Sequence, residues 1–258
     1  MTKFVNVFYF CNMKQRIVIL LLFVALGLGS TSAISQNTQY WDGIESFDGP
    51  TDQNIILAFQ LDFYFAKMVS PLPDSINMEI SKLVKRTENN TDLRDFILWR
   101  LLKKYQHPEY MGQDQVFVYL YDNYFSKLDI KDLNDENRAL IRDKAERLRR
   151  LALFQPAPEI KINDFDVLSS SKSKYTALFF YDHECDLCQL ELHDLDSVCG
   201  TLSDITAIKI DVHGNPDGIE EIYEAYDIET TPLLYILDRD KRIIAKKIRA
   251  KQIDLVVK

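Results

Sequence analysis

Four cysteines occur in this chain of 258 residues, and two of them, Cys185 and Cys188, are spaced for chemistry. They follow the apolar run Ala177–Tyr181 and the polar turn Asp182-His183-Glu184, and they lead into Gln189-Leu190 and a helical pattern. That order predicts a buried strand, a brief turn and a pair of thiols at the start of a helix. At a helix N-terminus, free backbone N–H groups and the positive end of the dipole stabilise a thiolate. The thiolate is the form that attacks a disulfide, and the two-residue spacing lets the second sulfur resolve the mixed disulfide that results. The same neighbourhood offers His183, Cys185, Cys188 and His193 as zinc ligands. Four ligands inside so short a stretch, straddling a helix start, make a poor tetrahedron, and no metal is expected.

The flanking residues modulate the pair. Glu184 and Asp186 bring negative charge that opposes the helix terminus, and the two effects are of similar size. The Cys185 thiol is therefore expected in the mild, near-neutral range and not in the strongly acidic range of a potent oxidant, so the pair reads as a reductant or mild exchanger. His183 is a candidate proton donor or thiolate partner, set against an ordinary partly exposed turn histidine. Cys199 lies three helical turns beyond Cys188 and reads as a buried, inert thiol.

The elements that must position these residues occupy the last two-fifths of the chain. Phe154-Gln155-Pro156-Ala157-Pro158 marks a boundary, because two prolines stop the preceding helix and stiffen the chain. Alternation over Glu159–Asn163 and the polar run Ser169–Ser173 suggest a hairpin-like lead-in. Strand Tyr175–Tyr181, helix Cys185 to Val198, strand Ile205–Asp211, helix Asp217–Tyr226, strand Leu233–Leu237, a turn over 238–241, strand Ile243–Ile248 and a short terminal helix follow. This is an α/β layer around a partly parallel sheet.

Upstream, the pattern from Tyr40 to Leu153 is helical. Asp52 is expected to cap a helix to Val69 whose mostly apolar face includes Ile56, Phe59, Gln60, Phe63 and Lys67. Pro71 and Pro73 precede a helix from Asp74 to Lys85. Thr91 is expected to cap a third helix, with Leu93, Phe96, Ile97, Trp99, Leu101 and Tyr105 at helical spacing, and Asn134 a last one through Arg150. Val116–Phe125 is too densely apolar for periodicity to separate helix from strand; the Gly112 break and the length out to Lys127 favour helix. Tyr110, Phe117, Tyr119, Tyr121, Tyr124 and Phe125 read as core, with a substrate groove as the competing use. His107, before Pro108, reads as a helix C-terminal partner. No catalytic constellation is found here.

The first 33 residues look like a secretory address. Met13-Lys14-Gln15-Arg16 is a short basic segment, Ile17–Gly29 an apolar run, and Ser30-Thr31-Ser32-Ala33 a small-residue cleavage site. The apolar run falls short of the ~20 residues a permanent span requires, so membrane contact is expected only if the segment stays uncleaved. Translation is expected to start at Met13, which removes Cys11. The intact mass of the unprocessed precursor checks this.

Composition sets wider bounds. A hydrophobic content of 47% with 27% charged residues is that of a globular protein, and a net charge of −8 with no basic run excludes a nucleic-acid backbone as partner.

Residues 156–258 resemble the secreted, TlpA-type thioredoxin-fold thiol-disulfide oxidoreductases. The resemblance rests on Cys185-Asp186-Leu187-Cys188 after strand Ala177–Tyr181, on Thr231-Pro232 before strand Leu233–Leu237, and on the hairpin Ile236–Ile244. Residues 40–153 are similar to the helical domain that precedes thioredoxin modules in Bacteroides-type envelope proteins, notably at Met111-Gly112-Gln113-Asp114. The resemblance implies a signal peptide over 1–33, a helical domain over 34–153 and a thioredoxin domain over 154–258. It implies Cys185 as the attacking and Cys188 as the resolving thiol, with Pro232, after Thr231, as a cis-proline facing them. No cofactor is implied beyond a redox-active Cys185–Cys188 disulfide. The implied partners are protein or small-molecule thiols and disulfides and an electron donor of the periplasm or cell envelope. Glu184, Asp186 and Leu187 replace the family's Trp and Pro, Phe179 stands where thioredoxin keeps a buried acid, and the insertion between the central strand and helix is missing. These departures keep a second reading open, a non-catalytic thioredoxin-like scaffold whose helical domain engages a partner.

Overall fold

A computed structural model describes residues 40–44, 55–162, 165–213 and 219–257. The chain divides into two compact units, Met1–Phe47 and Asp48–Lys258. Met1–Ala33 and Asp52, with the expectations placed on them, lie outside the described residues. Among the described residues no helix is long and apolar enough to cross a membrane.

The second unit begins with helices α1 (Ile55–Lys67), α2 (Pro73–Arg86), α3 (Thr91–Gln106), α4 (Asp114–Leu120) and α5 (Asp135–Arg150). Local chemistry explains three of their N-terminal ends. Pro73 opens α2, where its missing N–H costs nothing, and Ile76, Ile80, Leu83 and Val84 line its buried side. Asn134 caps α5 by accepting the Asn137 N–H at 2.7 Å.

Four expectations change. The cap of α3 is Asn90, whose side chain accepts the Leu93 N–H at 3.1 Å, and Thr91 is already helical. In α1 the buried residues are Leu57, Leu61, Tyr64 and Phe65, while Ile56, Phe59 and Phe63 are exposed. That helix is apolar almost all round, so periodicity offers no basis for choosing its inner face. The helical stretch after Asp114 changes gauge at Tyr121, and a π-helical turn over Tyr121–Phe125 follows α4. This widened turn brings Phe125 into the core but leaves Tyr119, Tyr121 and Tyr124 half-buried and Tyr110 exposed, so the aromatic run is only partly core. His107 does occupy the C-terminal cap position of α3, but its ring faces the Glu229 carboxylate at 3.1 Å.

The α/β half comprises a two-stranded β1 (Lys161–Ile162) and β2 (Phe165–Asp166), α6 (Val167–Ser170), β3 (Tyr175–Tyr181), α7 (Asp186–Thr201), β4 (Ile205–Asp211), α8 (Ile219–Tyr226), β5 (Leu233–Leu237), β6 (Ile243–Lys246), a 3₁₀ turn (Ala250–Gln252) and α9 (Ile253–Val256). The main sheet has the order β4-β3-β5-β6. Strands β3 and β4 are parallel, and β3–β5 and β5–β6 antiparallel. Leu178 and Phe180 of β3 pack on one face with Tyr226, Leu233 and Tyr235; Ala177 and Phe179 pack on the other with Leu195, Leu234 and Ile253. Both faces are covered, which is why β3 reads as continuous apolar sequence. Strand β6 ends two residues before the expected Ile248, because Lys247 takes a left-handed conformation (φ 56°) and turns its N–H to Leu234 O at 2.8 Å.

The helical half is joined to the sheet by polar contacts. Lys246 and Asp114 are both buried, and Lys246 Nζ donates to the Asp114 carboxylate and to Leu151 O. Burial pushes the Lys246 ammonium below its ordinary value, against the pull of the Asp114 charge. Buried Lys144 contacts Asp227 at 3.2 Å and also Glu229, and Arg147 reaches Asp227 at 3.5 Å. The segment between the halves pairs with the edge of β6: Phe154 donates to Ile243 O at 2.7 Å and Ile243 donates back to Gln155 O at 2.9 Å.

Removing one member of a buried pair leaves the other charge without compensation, at a cost of about 3–5 kcal/mol. Asp114→Ala or Lys246→Ala is expected to lower unfolding stability by that amount in urea titrations, whereas the double change Asp114→Leu/Lys246→Met is expected to lose much less.

Candidate dithiol site

The carboxyl end of β3 runs into Asp182, whose side chain accepts the Glu184 N–H at 2.8 Å and whose carbonyl accepts the Cys185 N–H at 3.1 Å. Gln189 reaches back to His183 O at 3.0 Å. These bonds hold a tight turn and deliver Cys185 to the N-cap of α7, in extended conformation (φ −89°, ψ 116°). Its sulfur accepts the Cys188 N–H at 3.3 Å, so it takes the role that an Asn or Ser oxygen plays in an ordinary cap. Cys185 is partly exposed and Cys188 is buried beneath it.

The environments separate the two thiols. Hydrogen bonds from the Cys188 thiol and then the Cys188 N–H hold the Cys185 thiol below its ordinary value, opposed by loss of solvation and, more weakly, by the Asp182 charge. Burial pushes the Cys188 thiol up, partly offset by hydrogen bonds from the Asp182 backbone and the Thr231 hydroxyl. Thr231 and Pro232 belong to the loop ahead of β5, and the bond between them is cis. The expected residues Cys185, Cys188, Thr231 and Pro232 are therefore assembled at one sheet edge. Asp186 lies in the exposed first turn of α7.

A groove of about 360 Å³ lies beside the pair, lined by Leu187, Phe179, Glu191, Thr231 and Pro232 and by His107 from the helical half. Glu191 is a residue that sequence reasoning missed. It is buried, with one carboxylate oxygen 2.8 Å from Arg249 Nη1 and the other accepting the Ala250 N–H at 2.9 Å. Within an amphipathic helix such a residue reads as a surface acid; its position three residues after Cys188 is the one available signal. Phe179 is apolar and buried, stacked against Tyr181. Cys199 is partly buried, with burial raising its thiol.

His183 is engaged by the turn after β4. Its Nδ1 lies 2.7 Å from Asp211 Oδ2, and its ring packs edge-to-face on His213 with centroids 4.6 Å apart. His213 Nδ1 lies 3.2 Å from Asp182, and this hydrogen bond raises the imidazole above its ordinary value. The register Tyr181↔Asp211 between parallel β3 and β4 brings these two turns side by side. His213 escaped notice in the sequence, although Asp182-His183 and Asp211-Val212-His213 each follow a strand end.

No protein-family model and no curated protein matches the chain. Among solved structures, a thioredoxin-like protein from Bacteroides caccae superposes with a TM-score of 0.67 at 15% identity, over 86% of this chain and 91% of that one. A domain of a possible thiol-disulfide isomerase from Cytophaga hutchinsonii matches 40% of this chain and 89% of its own at 26% identity and a TM-score of 0.35. The thioredoxin domain of a Bacteroides vulgatus thiol-disulfide oxidoreductase matches 42% of this chain and 99% of its own at 21% identity and a TM-score of 0.34. The chain is similar to these proteins, and its α/β half, with the Cys-x-x-Cys at the head of α7 and a cis-proline before β5, has the thioredoxin fold.

The lowered Cys185 thiol, against the raised thiols of Cys188 and Cys199, sets an order of reaction. Iodoacetamide on the reduced native protein is expected to label Cys185 first by peptide mass spectrometry, with Cys188 and Cys199 labelled at comparable rates only after denaturation.

Proposed function

We propose that the protein is an exported thiol-disulfide oxidoreductase working as a reductant or mild exchanger through Cys185 and Cys188. The observation that carries this reading is the asymmetry of the pair: one sulfur is partly exposed at a helix N-cap with a stabilised thiolate, and its partner is buried three residues on. The Cys185 thiolate attacks one sulfur of a substrate disulfide, forms a mixed disulfide and expels the other half as a thiolate. Cys188 then loses its proton, attacks Cys185 Sγ and releases the remaining substrate thiolate. Two electrons pass from the dithiol to the substrate, and the Cys185–Cys188 disulfide remains.

An external dithiol donor of the cell envelope must return those electrons. The groove beside Leu187 and cis-Pro232 suits an extended peptide, and the half-exposed side chains of Leu187 and Leu190 supply an apolar flank for it. Export is supported by the basic, apolar and small-residue pattern over Met13–Ala33.

Insulin reduction driven by a dithiol donor is expected to fall to background in Cys185→Ser. Cys188→Ser is expected to retain the first attack and accumulate a mixed disulfide on Cys185, visible as a mass adduct that a reductant removes. Equal rates for wild type and Cys185→Ser would reject the enzyme and leave the scaffold reading.

A further inference from the structure

The geometry points to a binding site for one divalent transition-metal ion of the zinc class, formed by His183, Glu184 and His213 at the rim of the dithiol. One ligand atom from each of these exposed residues lies within 4.8 Å of the others. His213 Nε2 and Glu184 Oε2 are 3.6 Å apart. Ligands about 2.0–2.1 Å from a tetrahedral zinc stand roughly 3.3 Å from one another, so the trio closes around an ion when side chains move their ligand atoms together by at most roughly 1.5 Å.

A second, independent observation concerns the outer side of the two rings. Each imidazole has its Nδ1 on a carboxylate: His183 on Asp211 at 2.7 Å and His213 on Asp182 at 3.2 Å. A carboxylate only accepts, so in the neutral ring Nδ1 carries the proton and Nε2 keeps its lone pair for a ligand. This is the carboxylate–histidine arrangement that orients metal-binding imidazoles. The carboxylates are themselves held: Asp182 accepts the Glu184 N–H at 2.8 Å, and Asp211 accepts the His213 N–H at 3.0 Å. Three negative charges, on Asp182, Glu184 and Asp211, surround the two imidazoles and favour a cation. Two nitrogen ligands and one carboxylate suit Zn²⁺, Cu²⁺ or Ni²⁺; Mg²⁺ and Ca²⁺ prefer all-oxygen shells. The site differs from the zinc set suggested by local sequence: it shares His183 but uses neither cysteine, and it takes His213 from the neighbouring strand end. It stands whether or not the dithiol turns over.

The test is calorimetric titration of Zn²⁺ into the full-length Cys185→Ser/Cys188→Ser variant, which removes the two neighbouring dithiol sulfurs as competing ligands. One ion is expected to bind, Mg²⁺ none, with affinity at least tenfold weaker in His213→Ala and His183→Ala. Asp211→Ala, which touches no ion, is expected to weaken binding by about tenfold to a hundredfold. Equal metal-free melting temperatures show that the variants fold. Co²⁺ is expected to give ligand-field bands without sulfur-to-metal charge transfer. Affinity unchanged by His213→Ala, or binding that disappears with the two cysteines, overturns the site.

Discussion

Every reactive group here depends on the register of one strand. Strand β3 is buried on both faces, pairs parallel with β4 and antiparallel with β5, and ends at Tyr181 opposite Asp211. A shift of one residue would exchange Leu178 and Phe180 for Ala177 and Phe179 between the two cores, so packing holds the register tightly. Because the register is held, the turn after β3 meets the turn after β4, and Thr231-Pro232 at the head of β5 meets Cys188. The dithiol, its cis-proline neighbour and the two-histidine cluster are three products of the same pairing.

The helical half is built onto this sheet through charges as well as apolar contacts. Lys246 extends from the edge strand β6 to Asp114 and Leu151 O, and Lys144 and Arg147 extend from α5 to Asp227 just after α8. Desolvating both partners consumes most of the Coulomb attraction, so the net contribution of such pairs to stability is small beside the penalty for breaking one. Their geometry matters more: Glu229, which receives Lys144, also faces His107 at the groove beside Pro232. The helices thereby supply part of the wall of the groove beside the thiols.

At the dithiol, acidic residues occupy the turn, Phe179 is apolar and buried, and the buried carboxylate nearby, Glu191, is engaged by Arg249 and the Ala250 N–H. With both oxygens occupied, one by a cation and one by a backbone donor, this carboxylate anchors the turn after β6. At Cys185 the hydrogen bonds from Cys188 lower the thiol, against loss of solvation and the weaker charge of Asp182.

Much of this was legible in the sequence where the determinants are local. Strands 175–181, 205–211 and 233–237, the Asn134 cap and the placement of Cys185 at a helix start follow from apolar runs, cap chemistry and short spacing, which act over a few residues. The same reading put a proline opposite the thiols by resemblance, and the cis Thr231–Pro232 bond occupies that place. Tertiary structure alone decided which side of α1 is inside, since a helix apolar all round has no preferred face until it meets its neighbours. It alone buried Glu191 and Lys246, and it alone joined His213 to His183 and Glu184, because residues nearly thirty apart in the chain become neighbours only through strand register, which no short-range pattern encodes.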